Sequence, residues 1–186
     1  HKDNEGRTLS DRYIHRAECY KEMGNYDKAL YDYNFAIDLE PNNKSYLNDR
    51  GLFYKVFYKY DLALNDFEAI LDIDPSFTYA LNNRALIYDI KGDLESAIKE
   101  FTRAIEIKPT KSLYYQNRAF QYINLEEYDK AILDFTQAID FHKDNEGRTL
   151  SERYVARAKC YAKMKDYDNA LYDYNFSSIK LTGKLD

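Results

Sequence analysis

Arginines and acidic residues recur in step along this chain. Arg16, Arg50, Arg84, Arg118 and Arg157 are each followed sixteen residues later by Asp32, Asp66, Glu100, Asp134 and Asp173. A guanidinium and a carboxylate placed in register can form a forked hydrogen-bonded pair, whereas a row of unmatched arginines could hold an anion. Because an acid answers every arginine, the expected role is structural pairing, within one repeat or between neighbouring ones. Other reactive chemistry is sparse. His1, His15 and His142 lack metal-ligand spacing, and Cys19 and Cys160 lie too far apart in sequence to form a disulfide framework. There is no Gly-rich phosphate loop and no Ser/His/Asp or Cys/His set with local motif support, so catalysis, cofactors and bound metals are not expected.

The elements that position the arginines must come from 186 residues, 45% hydrophobic and 32% charged, which is room for one domain or one short solenoid. Lys plus Arg total 27 against 32 Asp plus Glu, so no basic surplus exists to neutralise nucleic-acid phosphates. No apolar run approaches the roughly 20 residues a membrane helix needs. The chain opens at His1 with no basic-then-apolar signal segment, and reads as a cut-out from a longer parent. With few cysteines and no signal, a cytoplasmic setting is expected. Tyrosine is abundant, with 20 Tyr beside 10 Phe, which suggests a repeated packing role.

A period of 34 organises these residues. The three prolines, Pro41, Pro75 and Pro109, keep that step, as do Ala29, Ala63, Ala97 and Ala131, and Tyr20, Tyr54, Tyr88 and Tyr122. The spacing then widens once to 39, reaching Arg157, Tyr161 and Ala170, so a fifth unit follows a five-residue insertion. Within a unit the apolar positions fall at helical spacing, with two punctuation points. The first unit predicts helices from Ser10 to Met23 and from Tyr26 to Leu39, a turn at Gly24 and Asn25, and a stop at Pro41.

The pattern resembles the tetratricopeptide repeat, a 34-residue helix-turn-helix family, over residues 10 to 181. With Ser10, Lys44, Thr78, Ser112 and Ser151 as first positions, the family's small residue at position 8 is Ala17, Gly51, Ala85, Ala119 and Ala158. Its aromatic at position 24 is Tyr33, Phe67, Phe101, Phe135 and Tyr174. Position 4, often Trp in the family, is Tyr13, Leu47, Leu81, Tyr115 and Tyr154, and position 27, usually Ala, becomes Ile70 and Ser177 in two units. The resemblance implies an all-α fold: a right-handed superhelical solenoid of antiparallel helix pairs, with five units and about ten helices. The whole chain, 1–186, would form one array with units at 10–43, 44–77, 78–111, 112–150 (holding the insertion) and 151–184. A lone helix pair this small cannot bury its apolar faces, so the pairs must stack. Small residues at positions 8 and 20 let helices approach while the aromatics fill the wedge between them. Cys19 and Cys160, at position 10, are expected to be small buried packing residues.

In this family the first helices line a concave groove, with positions 2, 5, 6, 9, 12 and 13 turned inward, and ligands usually lie there. The implied groove residues are Asn48, Asp49, Leu52, Tyr79, Asn82, Asn83, Leu86, Gln116, Asn117, Phe120 and Asn124. Amides such as Asn83 and Asn117 could pair with an extended peptide backbone, with Tyr79, Leu86 and Phe120 forming apolar pockets. Positions 2, 5 and 6 of the middle units carry no Lys or Arg, so the acidic carboxyl-terminal tails of chaperones are not the expected ligands.

An internal duplication sharpens the expectation. Residues 1–10 recur identically at 142–151, and across the 35 aligned positions from 1 to 35 only nine differ. Six of the nine, at 11, 14, 15, 18, 21 and 22, are the six inward positions. The groove face is therefore expected to have diverged to read different ligand segments on a retained scaffold. Thr149 to Glu152 reads as a capping box, with Thr8 serving the first helix, and 144–147 as an exposed loop. Beyond Phe176 the pattern lapses without a further amphipathic helix, which predicts an open apolar end face and possible self-association through the ends. Three functions follow: a scaffold binding a peptide or partner helix, an oligomerisation segment stacking end to end, or the recognition arm of a larger enzyme.

Overall fold

The computed structural model describes residues 8–142 and 150–182. These form ten α-helices with no strand among the described residues: α1 (Leu9–Glu22), α2 (Tyr26–Leu39), α3 (Lys44–Val56), α4 (Tyr60–Ile73), α5 (Thr78–Ile90), α6 (Leu94–Ile107), α7 (Ser112–Asn124), α8 (Tyr128–Asp140), α9 (Leu150–Lys163) and α10 (Tyr167–Thr182). They fall into two compact units, one ending at Ile87 and the other starting at Tyr88. In the first, α1 packs on α2, α2 on α3 and α3 on α4; in the second, α6, α7, α8 and α9 each pack on the next helix in sequence.

Local chemistry sets the helix boundaries. Thr8 caps α1 in a reciprocal box with Asp11, its hydroxyl accepting from the Asp11 N–H at 3.2 Å while its own N–H donates to the carboxylate at 2.7 Å. Asn25, Asn43 and Asp93 cap α2, α3 and α6 through their side chains. The residue at position 15 of every unit adopts positive φ: Gly24 (73°), Tyr58 (59°), Gly92 (79°), Glu126 (59°) and Lys165 (64°). The turn between paired helices requires this left-handed backbone, which glycine adopts freely and the other three residues only at a cost.

The wedge between helices is filled as the period implies. Tyr33, Phe67, Phe101 and Phe135 are fully buried at position 24, as are the alanines at positions 8 and 20 of the same units. The second unit has Gly51 at position 8, where an added Cβ would lie 2.8 Å from the Phe67 ring. Tyr174, at position 24 of the last unit, is only half-buried. Past Phe176 α10 continues to Thr182, with no further helix among the described residues. One feature departs from expectation. Cys19 is exposed rather than buried, although Cys160 is buried at the same position. Cys160 packs with Ala119, Ala131 and Phe135 of the preceding pair α7 and α8, whereas no described helix precedes α1 to cover Cys19. Thr149 and the loop at 144–147 lie outside the described residues.

Candidate functional site

Four members of the arginine series fork onto the carboxylate sixteen residues later. Arg16 donates to Asp32 at 2.6 and 2.7 Å, Arg50 to Asp66 at 3.0 and 2.6 Å, and Arg118 and Arg157 to Asp134 and Asp173 at 2.8 Å throughout. The carboxylates are nearly inaccessible, so each fork replaces water that burial removed. A third N–H reaches the preceding repeat: Arg50 donates to Asn34, Arg118 to Thr102 and Arg157 to Thr136, at 2.8 to 2.9 Å. Arg50, Arg118 and Arg157 thus each tie their own second helix to the one before. For Arg118, burial works against the charge, but the Asp134 hydrogen bonds together with the charge of that carboxylate outweigh it and raise the pKa. Tyrosines flank the guanidinium planes, as with Tyr115 and Tyr122, each 5.9 Å from Arg118. Arg84 lies in the first unit and Glu100 in the second, and their pairing stays an expectation of the sequence.

Two grooves open on the first-helix faces, one in each unit. The groove in the first unit, about 620 Å³, is lined by Ile14, His15, Glu18, Lys21 and Glu22 of α1 and by Asp49, Leu52, Phe53 and Val56 of α3, with Tyr26 and Phe57 at its edge. Glu18 accepts from Lys21 and from Tyr33. Burial works to raise its pKa, but those hydrogen bonds outweigh it and hold the carboxyl below its ordinary value. Asp49 has its pKa pushed up, first by burial and then by the charge of Glu18.

The groove in the second unit, about 810 Å³, is more apolar. Phe120 and Ile123 of α7 and Tyr128 of α8 form one wall, and Val155, Ala156 and Cys160 of α9 the other, with Glu152, Lys159 and Lys163 at the rim. Phe120 meets Phe135 edge to face with centroids 5.4 Å apart, which fixes its ring in the wall. Burial pushes the Cys160 thiol up to about 11, so it stays protonated and inert at neutral pH.

Five of the six substituted positions of α1 line the first groove, and five of the six counterparts in α9 line the second.

The groove residues named from sequence fall into two groups. Asn48, Asp49, Leu52, Asn83, Leu86, Asn117 and Phe120 are partly accessible, and Tyr79 and Asn124 are exposed. In the first unit Asn83 donates to Asn48 at 3.3 Å and accepts from Lys55 at 3.4 Å, which links α3 to α5. Asn82 and Gln116 are buried. Both stand at position 5, where Ile14 is buried too, and Gln116 shows the reason there: it meets the first helix of the next repeat.

That contact involves a residue the sequence reading missed. Arg153 is the largest fully buried side chain among the described residues; its Nε donates to Gln116 at 2.8 Å and its Nη1 to the Ala138 carbonyl and His142 Nδ1, each at 2.8 Å. The available signal was position 3, where Tyr46, Ala80 and Tyr114 are buried, so an arginine in that place must find acceptors. Arg12, identical in sequence, is exposed on α1. Among the described residues no His, Cys, Asp or Glu cluster is arranged to hold a metal, and no helix is long and apolar enough to cross a membrane.

Models of the tetratricopeptide repeat match residues 10–43, 78–111 and 113–145. Anaphase-promoting complex subunit 3 of Dictyostelium discoideum is 49% identical over 35 residues, covering 19% of this chain and 4% of that protein. The solved structure of MamA superposes with a TM-score of 0.77 at 18% identity, covering 94% of this chain and 95% of that one. YrrB, described as a TPR protein with an unusual peptide-binding site, gives a TM-score of 0.68 at 16% identity, with 97% and 89% covered. These likenesses establish an all-α repeat solenoid.

Proposed function

Because this chain belongs to the tetratricopeptide repeat family, we propose that it is a non-catalytic protein-interaction scaffold that holds an extended peptide or partner helix on its first-helix faces. One observation carries the reading. Two helix pairs of near-identical sequence differ mainly where α1 and α9 line grooves, while the YDYNF stretch of α2 and α10 is unchanged, although its first tyrosine, Tyr31 or Tyr172, is exposed in both. Unselected surface drift would have spread over both helices. Half-buried amides beside apolar walls suit a main chain that needs donors and acceptors along with pockets for alternate side chains. The peptide-binding site described for YrrB supports the same class of ligand.

The test is affinity capture by the intact chain and by an Asn83→Ala/Asn117→Ala/Phe120→Ala variant. Partners lost only with the variant, at unchanged helicity and melting, support groove binding. Capture of the same partners by both overturns it.

A second reading, end-to-end association, is favoured by a different observation. Cys160 is buried in the face that α9 turns to α7 and α8 and Leu150 is half-buried, while the equivalent Cys19 and Leu9 of α1 are exposed. The α1 face therefore has the composition of a helix-docking surface. Sedimentation across a hundredfold concentration range tests this reading, and a monomer throughout overturns it.

A further inference from the structure

The duplicated helices differ in charge as well as shape. Glu18 and Glu22 of α1 are replaced by Lys159 and Lys163 of α9. Each pair is four residues apart, so both side chains stand on one helix face, about 6 Å apart at Cβ. In the first groove Glu18, Glu22 and Asp49 face a single lysine, Lys21, besides His15. In the second, Lys159 and Lys163 face a single carboxylate, Glu152. The same scaffold thus presents an acidic rim in one unit and a basic rim in the other, above the more apolar walls of the second.

We infer that the groove between α7 and α9 selects an extended peptide segment with a large apolar side chain and, within about four residues of it, an aspartate or glutamate. This rests on the reading of first-helix faces as ligand surfaces, and adds the chemistry of the ligand. The apolar anchor enters between Phe120, Ile123, Val155 and Cys160. Its carboxylate meets Lys159 and Lys163, which stand exposed at the rim. The formal charge of the chain is -5, yet charges beyond a Debye length of about 10 Å at 0.1 M salt are largely screened, so the local pair of lysines governs the approach of a segment to this groove. These lysines stand at positions 9 and 13, not at positions 2, 5 and 6 where family members that hold chaperone tails carry their cations. The recognised acid is accordingly an internal side chain rather than a chain terminus.

The test uses synthetic nonapeptides, blocked at both ends, with a central leucine or phenylalanine flanked by Asp/Glu, by Ser/Gln or by Lys/Arg, titrated by fluorescence anisotropy into the intact chain. The acidic set is expected to bind about tenfold tighter than the basic set, as two partly screened ion pairs allow. Lys159→Glu/Lys163→Glu should invert that order, and both lysines are exposed, so the fold is retained. Phe120→Ala should weaken all sets alike. If Phe120→Ala weakens binding but the two lysine substitutions leave the order unchanged, the groove reading stands and the acidic preference is overturned. If Phe120→Ala has no effect, or no peptide of any charge binds, the groove reading itself fails and this inference with it.

Discussion

Arg118 forks onto Asp134 with two 2.8 Å hydrogen bonds and extends a third N–H to Thr102 on the preceding second helix. This one side chain therefore couples adjacent repeats, in a solenoid whose stability is the sum of repeat and interface terms. Side-chain exposure is 16% for Arg118 and 7% for Asp134, so removing either partner strands a charge. Asp134→Ala is expected to cost about 3 to 5 kcal/mol. The apolar double variant Arg118→Met/Asp134→Leu should cost distinctly less, because no unpaired charge remains. Denaturant melts of the three proteins check the order, and an equal loss in both variants would remove the pair from the account.

The left-handed turn supplies a second test. Glu126 and Lys165 adopt the φ that Gly24 and Gly92 adopt in other units. A left-handed conformation costs a residue with a Cβ about 1 to 2 kcal/mol, and glycine returns part of that as lost chain entropy. Glu126→Gly and Lys165→Gly should each stabilise the protein by up to about 1 kcal/mol, while Gly24→Ala should destabilise it. Thermal melts of the three variants read the sign directly.

Asp49 offers a pH-dependent prediction. Burial raises its pKa above the ordinary aspartate value, so the folded state keeps this proton at a pH where the unfolded state has released it. Ionisation therefore subtracts stability as pH rises through the folded value. Asp49→Asn should stabilise the protein at pH 7, with the gain fading below about pH 4, where the unfolded aspartate is protonated as well. Glu18 has the opposite sign: its lowered pKa adds stability at neutral pH that is lost as acid protonates it. Urea midpoints from pH 3 to 8 for the two Gln/Asn variants should therefore diverge in opposite directions from the parent.

The two cysteines should separate by reactivity. Cys19 is exposed, whereas the Cys160 thiol is buried and pushed up to about 11. A thiol reagent at pH 7.5 should label Cys19 rapidly and Cys160 only on unfolding. Rapid labelling of both in the native protein would contradict the packing of α9 on α7 and α8.

The repeat period made most of the helices legible in the sequence, because Pro41, Pro75 and Pro109, the small residues at position 8 and the aromatics at position 24 are each local answers to helix packing. The four observed arginine pairs were legible for the same reason, since each carboxylate sits at a fixed offset from its guanidinium. What escaped depends on neighbours distant in sequence. Gln116 reads as a groove amide until Arg153, 37 residues away, takes it as an acceptor. Cys19 and Cys160 share one repeat position but differ in burial, because among the described residues only the second lies against an earlier helix pair. Tyr58, Glu126 and Lys165 give no local sign of the left-handed turn they adopt, since the paired helices impose it.

The most direct test of the scaffold account exchanges the six inward residues of α9 for those of α1: Glu152→Asp, Val155→Ile, Ala156→His, Lys159→Glu, Ala162→Lys and Lys163→Glu. The parent and the exchanged protein are then profiled against one defined peptide library at constant salt, with melting temperature as the control. The account predicts that the binding profile of the second groove changes with those six residues while the melting temperature stays within a few degrees. An unchanged profile in a folded protein would contradict it and place recognition away from the first-helix faces.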